Sequence, residues 1–302
     1  MAGFFGFFDY SKPGPGVPKN APPKSRFVVF FEIYFRKFSR LVTLNMLYAL
    51  ACLPLFAALV LWMSTQGEDA NSAAVGLFGI AYLLNIFTLG PATAGFTYVL
   101  RNFTREEHAW VWSDFKEHFV KNYKQALLMS LIDLVLLIAA YVNYNFYIQL
   151  GGTHFAYGIL KYVFIVLSVF VLMMHFYIYP MMVTFKLSLP KMIRNSFIFT
   201  IITLPQTFAL LLVCAFIIIL CAYYYVIGLI LTFLILPSTI GLIINYCVWP
   251  TIKKYMIDNM EPQEGQESQE DKEGQEDKEN IAAVFTEDVD KVNNVKRSNK
   301  LR

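Results

Sequence analysis

Two residues of this chain combine ionisable chemistry with an apolar setting. Asp133 is the one acid inside the long apolar runs, and His175 lies in the next run along the chain. An ionisable side chain at membrane depth is costly unless it is paired or faces a cavity, so it is a functional candidate by default. Asp133 stands about seven residues inside its run, and His175 about eight residues from the end of the following, antiparallel one. At 1.5 Å per residue both sit roughly 10 Å deep, counted from the same side of the membrane. They are expected to face one another or a shared cavity.

Polar or helix-breaking residues recur at comparable depth in the other runs: Asn45, Gly90, Pro91, Gln206 and Asn245. With Asp133 and His175 they make an expected intramembrane polar layer. It can be a cavity open to the cytoplasm, or a set of interhelical hydrogen bonds, each worth about 0.6 kcal/mol, that hold a bundle. Glu106, Glu107, His108, Asp114, Glu117 and His118 lie close in sequence but match no zinc spacing, and Asp114 with His118 is an ordinary i, i+4 helix pair. No metal is expected. The four cysteines (Cys52, Cys214, Cys221, Cys247) all fall inside apolar runs and read as reduced packing residues. No Gly-rich phosphate loop, nucleophile elbow or dinucleotide fingerprint occurs, so no catalytic residue, cofactor or nucleic-acid partner is expected, and no enzyme activity.

The elements that must carry these residues follow from composition. The 302 residues are 57% hydrophobic and 16% charged, where a soluble domain has about a quarter charged. An all-α integral membrane protein follows, with six transmembrane helices expected over 41–63, 73–100, 126–147, 159–183, 197–223 and 226–249. The second of these, about 28 residues and roughly 42 Å of helix, is expected to break at Gly90-Pro91: Pro91 removes a backbone donor, and Gly90 and Gly95 admit a neighbouring backbone.

Orientation follows from the basic residues. Seven Lys and Arg precede the first run, five lie between the second and third and three between the fourth and fifth, while the other loops have none. Positive loops stay inside, so both termini are expected in the cytoplasm. Residues 1–25 are aromatic and then Pro-rich, an unhelical segment for anchoring or docking. Residues 26–258 are the expected membrane domain, opening on a basic-aromatic helix that lies in the interface. From Glu261 the tail holds 7 basic against 12 acidic residues, and 259–302 is expected to be disordered. Within 101–125, Val111, Phe115, Phe119 and Tyr123 recur at helical spacing, with Ser113 as a candidate cap. This amphipathic stretch and the loop 185–196 are the expected partner surface: Trp110, Trp112, Phe115, Phe119, Lys191 and Arg194.

Several stretches together resemble the YesL-like family of bacterial membrane proteins, a domain of unknown function. They are the Gly-Phe-Phe near the start, Leu44-Asn45-Met46-Leu47 with Leu53-Pro54, Leu89-Gly90-Pro91-Ala92-Thr93-Ala94, and Asp114-Phe115-Lys116 through Asn122-Tyr123-Lys124-Gln125-Ala126. The likeness spans about residues 1–225 and leaves out the acidic tail. It implies a bacterial cell-membrane protein, and an accessory subunit of a carbohydrate ABC importer with permease subunits as partners. It carries no catalytic residue. The reading from residues alone offers a rival: a small transporter or channel whose path crosses the polar layer.

Overall fold

The computed structural model describes residues 24–64, 72–150 and 155–258, and the regular elements among them are all helices. In chain order these are α1 (Arg26–Arg36), α2 (Phe38–Ala51), α3 (Leu53–Ser64), α4 (Ser72–Thr104), α5 (Val111–Lys121) and α6 (Tyr123–Leu150). There follow α7 (Phe155–Thr184), α8 (Leu189–Ile202), α9 (Leu204–Tyr223), α10 (Tyr225–Leu234) and α11 (Leu236–Met256). The aromatic and Pro-rich segment up to residue 23 and the acidic tail lie outside the described residues.

Among the described residues, four helices are long and apolar enough to cross a membrane: Gly76–Thr104, Tyr123–Gln149, Ile159–Thr184 and Leu204–Tyr223. A fifth crossing exists if α10 and α11, bent by 61° at their break, count as one. The expected run 41–63 is instead two helices meeting at Cys52, and α8 starts in the expected loop and ends inside the expected fifth span, at Ile202. The breaks have one chemical cause. Leu53-Pro54, Leu189-Pro190, Leu204-Pro205 and Leu236-Pro237 each open a helix, because proline tolerates the first turn, where its missing N–H has no acceptor to serve.

Pro91 behaves differently, which corrects the break expected at Gly90-Pro91. α4 runs unbroken through it for 33 residues. Pro91 leaves the Phe87 carbonyl without its helical donor, but α4 packs against α1, α2, α3, α5, α6, α7 and α11, which hold it in place. Gly90 permits the closest of these approaches: a Cβ there would collide with Ser130 Oγ and the Ala126 carbonyl of α6. Gly95 does the same for α5, its notional Cβ 2.5 Å from the Phe115 carbonyl.

The bend between α10 and α11 is held by Asn45, which is fully buried on α2. Pro237 cannot donate to the Phe233 carbonyl, and the break separates Ser238 N–H from its own helix. Asn45 Nδ2 donates to the Thr232 and Phe233 carbonyls at 3.0 and 2.7 Å, and its Oδ1 accepts from Ser238 N at 3.0 Å. One amide thus satisfies three backbone groups at the break, as a low-dielectric interior requires.

Three apolar clusters tie the bundle together. Leu44, Phe96, Phe103, Phe115 and Leu242 join α2, α4, α5 and α11; Met129, Ile178 and Met192 belong to the cluster of α6, α7 and α8; Tyr177, Phe199, Leu210 and Ile252 join α7, α8, α9 and α11. At the end of the bundle carrying α5 and α8, buried Arg101 donates to the Val183 carbonyl at 3.0 Å and to Asn102 Oδ1 at 2.9 Å. It thereby caps the negative C-terminal end of α7 from α4. Outward faces of α6, α7, α9 and α10 expose large apolar side chains such as Val135, Val166, Ile219 and Val226, a surface suited to hydrocarbon rather than water.

Candidate functional site

Three helices turn polar and apolar side chains at helical spacing towards one space. On α4, Tyr82, Asn85, Leu89 and Thr93 share a face; on α6, Ser130, Asp133 and Leu137; on α7, His175 and Tyr179. Tyr48 of α2 closes the ring, and the cavity among them measures about 290 Å³. That is near the lower end for small-molecule sites.

Asp133 and His175 meet across α6 and α7, with Nε2 to Oδ1 at 2.8 Å. The other ring nitrogen, Nδ1, lies 2.8 Å from the Val171 carbonyl one turn earlier. A carbonyl only accepts, so Nδ1 carries a hydrogen. A carboxylate and the remaining nitrogen can hold a bond of this length only with one further proton between them. The pair therefore stores a single exchangeable proton and is neutral as a unit, either carboxylate with imidazolium or carboxylic acid with imidazole. Both side chains are half-buried, so the proton can leave.

Asn85 is the unusual member. It is 6% exposed, its Oδ1 is fully enclosed without a hydrogen-bond partner, and its side chain makes no hydrogen bond among the described residues. Buried amides are nearly always paired. Three neighbouring hydroxyls are spoken for: Tyr48 meets Thr93 at 3.1 Å, Thr93 donates to the Leu89 carbonyl and Ser130 to the Ala126 carbonyl.

The other residues of the expected layer part company with this cavity. Gly90 and Pro91 lie beside it, setting the spacing of α4 from α6. Asn45 is committed to the α10–α11 break, Asn245 donates to Gly241 within its own helix at 2.8 Å, and Gln206 is exposed on α9. Tyr48, Asn85, Thr93, Ser130 and Tyr179 escaped sequence reasoning. Helical spacing from the named residues was the available signal: Ser130 lies three before Asp133, and Tyr179 four after His175.

At the α5 end, the aromatic stripe faces inward. Phe115 is buried and Phe119 packs against the same cluster, so neither is open to a partner. Trp110 and Trp112 are 71% and 60% exposed, and Lys191 and Arg194 are exposed on α8. Ser113 is not the cap: Trp110 takes that position, and the Asp114 carboxylate accepts from its N–H at 2.9 Å. Glu106 pairs with Arg36, and Glu107 with Arg105 at 2.9 Å. His118 is buried, stacked on Tyr98 at 3.3 Å with Arg101 over the same ring at 4.4 Å, and its Nδ1–H donates to the Asp114 carbonyl. Burial pushes its pKa below the ordinary histidine value, against the raising effect of that hydrogen bond.

Residues 41–144 match the model of a family described as a protein of unknown function, DUF624. The match runs from α2 into α6 and so takes in Tyr48, Asn85 and Asp133, while His175 lies beyond it. No curated protein and no solved structure matches the chain.

Proposed function

We propose that this multi-pass membrane protein of unknown-function type is a solute-binding protein of a bacterial cell membrane and not an enzyme. A small polar solute enters the cavity between α2, α4, α6 and α7, and the Asp133–His175 pair supplies an exchangeable proton. Six crossings complete the topology, with α2 and α3 together as the first and both termini in the cytoplasm on the strength of the basic loops. The carrying observation is Asn85, a buried amide kept unpaired against a polar cavity. Such a group costs stability and is explained by a ligand that completes it.

Cysteine accessibility tests this without knowing the ligand. With the four native cysteines replaced, Asn85→Cys and Thr93→Cys should react with a small, charged, water-soluble thiol reagent in intact membranes. Leu84→Cys, on the exposed apolar face of the same helix, should not. Protection of both cavity cysteines from the reagent would refute a solute-accessible cavity.

The exposure of Trp110 and Trp112 favours a second reading, in which α5, with Lys191 and Arg194 of α8, docks a carbohydrate ABC permease. Affinity purification from native membranes tests it: stoichiometric permease subunits support the accessory role, and recovery of the protein alone counts against it.

A further inference from the structure

The one acid that lines the cavity has an oxygen to spare. Asp133 engages His175 through one oxygen, and its other carboxylate oxygen makes no hydrogen bond among the described residues. Three tyrosines, Tyr48, Tyr82 and Tyr179, add aromatic surface, and no Lys or Arg is among the described residues that line the space. A carboxylate and aromatic rings are the chemistry that holds an ammonium group.

Building on the solute-binding reading above, we infer that the ligand is a small primary amine, bound as its alkylammonium ion in exchange for the proton of the Asp133–His175 pair. The balance is simple. Before binding, one proton lies between Nε2 and Oδ1 and the pair is neutral. The entering ammonium brings one positive charge, and the shared proton leaves to water. The ammonium then donates N–H bonds to the Asp133 carboxylate and to the lone pair now free on Nε2, while Nδ1–H stays on the Val171 carbonyl. Carboxylate and ammonium cancel, so the site is neutral before and after, and one cation replaces one proton. No bond is made or broken apart from the proton transfer. The titratable groups facing the pair are Tyr48 from α2, Tyr82 from α4 and Tyr179 from α7. The proton exchanged is the one shared between Asp133 and His175.

The test is calorimetric titration of the full-length protein in detergent with ethylammonium chloride, in two buffers of different protonation enthalpy. One proton should be released per ion bound, and the apparent Kd should weaken about tenfold for each pH unit of acidification below the titration of the pair. Tetramethylammonium, which has no N–H, should bind about tenfold more weakly or worse. Asp133→Asn should lose at least about thirtyfold in affinity together with the proton release. Ethylammonium that fails to bind the native protein, or binds without releasing a proton, overturns the inference. Binding of glycerol in its place overturns the amine and leaves the solute-binding reading standing, whereas unreactive cavity cysteines remove both.

Discussion

Two buried asparagines should respond to the same substitution with opposite signs. Asn85→Leu replaces an amide that makes no hydrogen bond with a side chain of similar size, and the adjoining 290 Å³ cavity leaves room for the added methyl groups. Burying an unpaired amide costs about 1–3 kcal/mol, so the variant should gain roughly that much stability. Asn45→Leu strips two carbonyls and one N–H of their partner at the α10–α11 break. At about 0.6 kcal/mol per bond, as in membrane bundles, the loss is about 2 kcal/mol; at the desolvation cost of orphaned groups it reaches about 6 kcal/mol. Unfolding of the purified protein in mixed micelles, followed by circular dichroism, reads both. A loss of more than about 1 kcal/mol in Asn85→Leu would refute the claim that this amide serves a ligand rather than the fold, since only an unseen structural partner would make it stabilising.

Three further outcomes follow from the geometry. Gly90→Ala should cost about 1–3 kcal/mol by forcing α4 away from Ser130 and Ala126, while Gly76→Ala, with nothing within 4 Å, should show no loss by the same unfolding assay. His118 binds a proton less readily in the fold than its ordinary value of 6.5, so the unfolded chain takes up protons first. Full stability is present above pH 6.5 and is lost as pH falls from there through the folded value. Amide exchange of α5 should quicken over that window, and His118→Gln should flatten the dependence. Phe115→Ala should cost about 3–5 kcal/mol, whereas Trp110→Ala and Trp112→Ala, on exposed side chains, should leave the unfolding midpoint unchanged.

Composition and periodicity reached far along this chain because lipid permits few backbone structures. Fifty-seven per cent hydrophobic residues in long runs dictate helices, since every backbone group in hydrocarbon must pair within its own segment. A fixed rise per residue converts sequence position into depth, and counting from one side puts Asp133 and His175 level on consecutive antiparallel helices, where they are found 2.8 Å apart. The helix starts were also written locally, in four Leu-Pro pairs, although the run boundaries drawn by hydropathy passed over them.

Facing was another matter. Asn45, Asn85 and Asn245 look alike in an apolar run, yet one holds a broken helix, one bonds its own turn and one lies unpaired beside a cavity. Pro91 continues a helix that seven neighbouring helices grip, while Pro237 follows a break whose freed groups are served by Asn45. The stripe of Phe115 and Phe119 turned inward because α4 offers Gly95 as a seat for α5. Hydropathy alone thus determined that the chain is helical and lies in a membrane, and helical rise determined the depth of its ionisable pair. Which polar group bonds, which stays free and where a cavity opens depend on rotation of each helix about its axis, and only contacts between helices far apart in the chain decide that.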